Sequence, residues 1–79
     1  MEVPPLSPQA KNFAHGTYRH YKGGEYHTHY IARHSETQEE LVVYQDVTDT
    51  KKVWCRSLVM FLDTVLVEGK SVPRFTKIS

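Results

Sequence analysis

Short apolar bursts separated by polar turns run the length of this chain. The densest burst is Glu40-Leu41-Val42-Val43-Tyr44-Gln45. Four apolar residues in succession, two β-branched and one aromatic, predict a strand covered on both faces. We take it as the central strand of a small antiparallel sheet. Upstream, residues 16–22 carry threonine and two tyrosines and read as a first strand, ended by Gly23-Gly24. Residues 25–34 read as a second, so the glycine pair marks a hairpin turn. Tyr26, Thr28 and Tyr30 share one parity and Ile31 the other. A bulge near Tyr30 and Ile31 reconciles them. Residues 35–39 form a polar turn.

Downstream, residues 46–52 are rich in aspartate and threonine and predict a hairpin loop, followed by a short strand over 53–56. Ser57 is placed to cap a helical turn over 58–62. Residues 64–67 predict another strand, which Glu68-Gly69 turns back into a last one over 70–75. Pro73 donates no ladder hydrogen bond, so that strand lies at an edge or ends in a bend. The pattern therefore predicts a mostly β fold: a small five- to six-stranded antiparallel barrel or curled sheet, SH3-like, with one short helical turn. Its expected core is Tyr18, Ile31, Leu41, Val43, Val53, Cys55, Leu58, Phe61, Leu62, Val65, Val67 and Val72. Residues 1–14 hold three of the four prolines and read as an extended or partly disordered segment, with Phe13 anchoring its end. Residues 15–79 read as one small β domain.

Composition narrows the picture. In 79 residues, 39% hydrophobic and 24% charged, there is material for one compact core. The net charge of +1 gives no general electrostatic case for nucleic acid or an anionic membrane. A single cysteine, Cys55, excludes an internal disulfide framework and a cysteine-rich zinc site, and it fits a reducing compartment. Met1-Glu2-Val3-Pro4-Pro5 has neither a basic n-region nor an apolar h-region, and no apolar run approaches the roughly 20 residues of a membrane span. A cytoplasmic location is expected.

With its segments laid out, the chain resembles the short bacterial proteins of domain-of-unknown-function family sixteen fifty-three. The pieces that carry the likeness are Gly16-Thr17-Tyr18-Arg19-His20-Tyr21-Lys22-Gly23, Ala32-Arg33-His34-Ser35-Glu36-Thr37, Glu40-Leu41-Val42-Val43-Tyr44, Trp54-x-Arg56, Met60-Phe61 and Val72-Pro73-Arg74-Phe75. The resemblance implies a compact, mostly β domain and supplies no activity.

Candidate chemistry comes from three groups. His27 and His29 are two apart on a strand and share a face, and His20 on the neighbouring strand would complete three nitrogens for zinc. The plainer reading, which we adopt, is a solvated strand face with no metal and no cofactor. Cys55 sits beside Val53 and Trp54 and reads as a small buried hydrophobe rather than a nucleophile. The third group is Tyr21, Arg33, His34, Tyr44, Trp54 and Arg56, on strands that should adjoin. Aromatic surface interleaved with arginine can stack a ring or grip a carboxylate with two parallel hydrogen bonds. The alternative for these six is a structural role, with the arginines paired to nearby carboxylates.

The sequence thus favours a non-enzymatic module that binds a protein, peptide or small-molecule ligand. A single-stranded nucleic-acid-binding barrel using Arg19, Lys22, Arg33, Arg56 and Lys70 is the alternative. A small histidine- or metal-dependent hydrolase ranks third. Leu66 and the edge near Pro73 are candidate homodimer contacts.

Overall fold

The computed structural model describes residues 4–79, so residues 1–3 of the expected N-terminal extended segment lie outside the description. Seven strands and two helical turns follow in order: α1 (Pro8–Lys11), β1 (Thr17–His20), β2 (Glu25–Arg33), β3 (Glu40–Asp46), β4 (Val53–Ser57), α2 (Leu58–Phe61), β5 (Thr64–Val67), β6 (Lys70–Pro73) and β7 (Phe75–Lys77). Every strand pairing is antiparallel. Five strands form one sheet in the order β4-β3-β2-β1-β7, and β5 and β6 form a separate hairpin. The larger sheet leaves β4 and β7 as its edges, so it stays open and does not close into a barrel.

Three sequence expectations change. The strand over 40–46 has a partner on each side, but β2 occupies the middle of the sheet. The expected last strand divides at Arg74, because its two halves serve different partners. The residues before it pair with β5, and those after it pair with β1. Between them the Arg74 N–H donates to the Asp63 carbonyl, and the Arg74 carbonyl accepts from the Tyr21 N–H, both at 2.9 Å. Finally, the N-terminal segment carries a helical turn. Ser7 Oγ caps α1 by accepting from the Ala10 N–H at 3.1 Å. The Glu40 carboxylate then ties that cap to β3, accepting from Ser7 N at 2.7 Å and Ser7 Oγ at 2.6 Å.

Turn chemistry follows the sequence closely. Ser57 caps α2 as expected, accepting from the Met60 N–H at 3.2 Å. Glu68 and Gly69 both take positive φ (51° and 78°), the backbone of a two-residue primed hairpin turn. The bulge in β2 falls between Thr28 and Tyr30, one residue earlier than expected. It therefore turns Tyr30 outward, opposite Val43, and brings Ile31 onto the face of Thr28, opposite Val42.

The core lies on one face of the sheet beneath the two helical turns. Ala10, Tyr18, Val42, Tyr44, Leu58, Phe61 and Phe75 are buried there, with Leu6, Phe13, Tyr26 and Ile31 packed against them. Phe61 is the hub. Its ring stacks on Phe75 with centroids 4.0 Å apart, and it meets Tyr18 edge-on at 5.1 Å and Tyr44 at 5.6 Å. Of the expected core, Tyr18, Leu58 and Phe61 are buried and Ile31 packs beside them. Leu41 and Val43 belong to the other parity of β3: Val42 and Tyr44 face inward instead. Val53 and Cys55 are exposed because they alternate with the inward-facing Trp54 and Arg56 of β4, and Leu62, after α2, and Val67, at the end of β5, are exposed as well.

Candidate functional site

The register of the sheet assembles the site. Tyr18 lies opposite Tyr26, Thr28 opposite Tyr44, Tyr44 opposite Trp54, Val42 opposite Arg56, and His20 opposite Phe75. Because alternate residues of a strand share a face, all of these side chains stand on the core side of the sheet. The helical turns cover only part of that face. Over the remainder, His20, Lys22, Gly24, Tyr26, Tyr44, Trp54, Arg56 and Phe75 line an open cavity of about 320 Å³.

Its floor is the aromatic edge of the core. Tyr26 meets Tyr44 edge-on at 5.2 Å, and Tyr44 meets Phe75 at 5.5 Å. Gly24 lies against it: a Cβ there would stand 2.8 Å from the Tyr26 hydroxyl and 3.1 Å from its ring, so that ring would have to shift. Gly23 supplies the turn itself with φ of 108°, a conformation open to glycine and strained for other residues. Trp54, about half exposed, forms one wall.

Cations line the opposite side of the chemistry. The Arg56 guanidinium carbon sits 5.7 Å from the centroid of the Phe75 ring, and Arg56 Nε–H donates to the Tyr44 hydroxyl at 3.4 Å. Lys22 Nζ lies 5.8 Å from the Tyr21 ring centroid. The His20 imidazole is driven below its ordinary pKa, first by burial and then by the positive charges of Arg56, Arg74 and Lys22. His20 Nδ1 accepts from the Lys22 N–H at 3.2 Å, so the neutral ring carries its proton on Nε2. The nearby Arg74 contributes charge, and its buried Nε–H meets no acceptor among the described residues.

The six residues singled out from sequence separate into two groups. Tyr44, Trp54 and Arg56 line the cavity together. Tyr21 stands just outside, with its ring centroid 4.6 Å from that of His20. Arg33 and His34 lie at the far end of β2. Arg33 donates to the Pro4 carbonyl and to the Gln38 carbonyl, the latter at 3.4 Å. His34 Nδ1 accepts from the Glu36 and Thr37 N–H groups at 3.1 and 3.3 Å, holding its own turn. His20, Lys22, Gly24, Tyr26 and Phe75 are the cavity residues outside that set of six. The parity of Tyr18 extends to His20 and Tyr26, which would have placed those two. Phe75 enters through the β1–β7 pairing, which no local signal encodes.

The other histidines do not gather. His27 bonds Thr17 Oγ1 at 2.7 Å and His29 bonds Gln45 Oε1 at 2.7 Å, both on the exposed side, whereas His20 faces the cavity. Among the described residues no three His, Cys, Asp or Glu side chains approach as a metal-holding group. Cys55 is exposed rather than buried, because β4 turns its odd-numbered residues away from the core. Also among the described residues, no helix is long and apolar enough to cross a membrane.

Comparison with known proteins agrees with this architecture. No curated protein matches the chain. A crystal structure of a DUF1653 protein from Bordetella bronchiseptica superposes with a TM-score of 0.78 at 34% identity, covering 87% of this chain and 91% of that one. The sequence profile described as "Protein of unknown function (DUF1653)" matches residues 16–77, from the glycine that precedes β1 to the last residue of β7. The resemblance read from the motifs is therefore shown, and the chain belongs to the DUF1653 family.

Proposed function

We propose that this protein is a non-enzymatic binding module whose site is the uncovered part of its sheet face. The observation that carries this reading is the convergence of four aromatic rings and two cations from separate strands and turns on one cavity. A concave, ring-lined hollow with a few polar groups is the usual form of a small-molecule site, and about 320 Å³ lies at the small end of the roughly 300–1,000 Å³ range. The lining offers rings, positive charge and the hydroxyls of Tyr26 and Tyr44, and it holds no serine, threonine or cysteine.

The single-stranded nucleic-acid alternative draws less support. Arg19 is held by Glu25 at 3.0 Å and Arg33 by backbone carbonyls, so neither extends the cationic rim along a strand-binding track. A chemically diverse fragment panel, followed by two-dimensional NMR, tests the module. Trp54 is the sole tryptophan, so its indole N–H signal reports directly on the cavity. At least one fragment class should move the signals of His20, Tyr26, Trp54 and Arg56 together. Shifts confined to other surfaces, or none across the panel, would sink the proposal.

A further inference from the structure

We infer that the ligand of this cavity is a flat ring carrying an oxyanion, a carboxylate or a phosphate, with Arg56 on the oxyanion and the ring among Trp54, Tyr26 and Phe75. This rests on the binding-module reading and narrows it to a ligand class.

The first support is the way Arg56 is held. Its Nε–H donates to Tyr44 at 3.4 Å and its guanidinium carbon lies 5.7 Å from the Phe75 ring centroid, which orients the guanidinium while leaving its two terminal amino groups without an acceptor among the described residues. A guanidinium fork held this way is preorganised for two parallel hydrogen bonds to a carboxylate or phosphate. Protein carboxylates do not fill that place. No Asp or Glu lines the cavity, and the one ion pair among the described residues joins Arg19 and Glu25 outside it.

The second support is an uneven distribution of charge. The whole chain is close to neutral, at +1, yet Arg56, Arg74 and Lys22 all act on His20. Meanwhile Glu40 is engaged by Ser7, and Asp46 accepts from the Thr48 and Asp49 N–H groups at 2.8 and 2.9 Å. Positive charge is thus concentrated at the cavity while these carboxylates are satisfied elsewhere. The neutral His20 adds an Nε2–H donor without demanding a carboxylate of its own. The third support is size: the volume has room for a ring system with its charged substituent.

Matched probes on the wild-type protein test the inference without depending on any variant folding. Benzoate and phenyl phosphate should shift the Trp54 and Arg56 signals and bind about tenfold more tightly than benzamide or benzylammonium. Acetate and inorganic phosphate, which lack the ring, should bind about tenfold more weakly than their ring-bearing counterparts. Whichever of benzoate and phenyl phosphate binds tighter identifies the oxyanion. Arg56→Gln should lose most of the preference for charge, whereas Arg56→Lys should keep part of it. Benzamide binding as tightly as benzoate at the same residues would overturn the oxyanion and leave the module intact. Acetate matching benzoate would overturn the ring. Failure of all these probes, with another fragment class occupying the cavity, would overturn the ligand class alone. An unoccupied cavity across every panel would overturn both readings.

Discussion

The same face of the same sheet has two halves with opposite fates. In one half Tyr18, Thr28 and Val42 lie beneath α2 and the N-terminal turn, and they are buried. In the other, His20 and Tyr26 stand on two of the same strands with the same parity, and with Trp54 of β4 they face a cavity. Strand propensity and alternation do not distinguish the halves. What differs is cover: two four-residue helical turns, each held by a serine cap, bring Ala10, Leu58 and Phe61 into the buried cluster, whereas His20, Tyr26 and Trp54 keep one side open. The cavity is an extension of the core that the fold leaves unroofed.

The sharpest way to break that contrast is to truncate one aromatic ring in each half. Phe61, 1% exposed, packs against Tyr18, Tyr44 and Phe75. Phe61→Ala should cost about 3–5 kcal/mol, as large-to-small changes of buried aromatics do. Trp54, 48% exposed on the rim, should cost less than about 1 kcal/mol when replaced by alanine. Urea unfolding of both variants settles the matter. Comparable losses would mean that the open half is core as well.

The legibility of the two halves in sequence was equally uneven. Local signals were readable where the cause was local: the Gly23-Gly24 and Glu68-Gly69 turns, the Ser57 cap, and the need for a bulge in β2 all follow from neighbouring residues. The parity of β3 was not readable. Leu41-Val42-Val43-Tyr44 is apolar throughout, so alternation carries no signal there, and only the positions of Phe61 and Phe75 select Val42 and Tyr44. Likewise Trp54 and Arg56 stood out by type, but their meeting with His20 and Phe75 depends on β7 pairing beside β1 across more than fifty intervening residues. Ala10 was hidden because three nearby prolines suggest extension, while its burial depends on the distant Glu40 holding Ser7.

A smaller effect sharpens the account of the covered half. Thr28 is the buried polar residue of that half among those described, and its hydroxyl serves the backbone. Thr28 Oγ1 accepts from the Gly16 N–H at 2.9 Å and lies 3.1 Å from His15 Nδ1. Thr28→Val keeps the shape and removes the acceptor, leaving the Gly16 N–H unpaired, so a loss of about 1–3 kcal/mol is expected. Thr28→Ser retains the hydroxyl and should lose less. If valine were neutral, simple apolar cover would account for this half and the hydroxyl would be dispensable.

The smallest effect separates the halves by pH. At the open half, burial and then Arg56 on β4, Arg74 between β6 and β7, and Lys22 in the β1–β2 turn keep His20 neutral below its ordinary range. The rings of Tyr21 and Phe75 pack against it. As pH falls through about 6.5, the unfolded chain takes up a proton that native His20 still refuses, so stability declines until the native ring is protonated too. At the covered half the sign comes from carboxylates. The Ser7 hydroxyl and N–H hold Glu40 below the usual carboxylate range, so its contribution is present at neutral pH and is lost only as pH drops into and below that range. Asp46, at the end of β3 opposite Tyr26, is lowered by the Asp49 N–H and by the Thr48 hydroxyl and N–H, and its contribution is lost in the same acid window. Denaturation midpoints measured from about pH 7.5 down to about pH 3 should therefore show two declines. His20→Gln should flatten the upper one alone, and Ser7→Ala should weaken the lower one alone. An unchanged upper slope in His20→Gln would show that the open half holds no proton-linked stress, and the contrast between the halves would then rest on cover by itself.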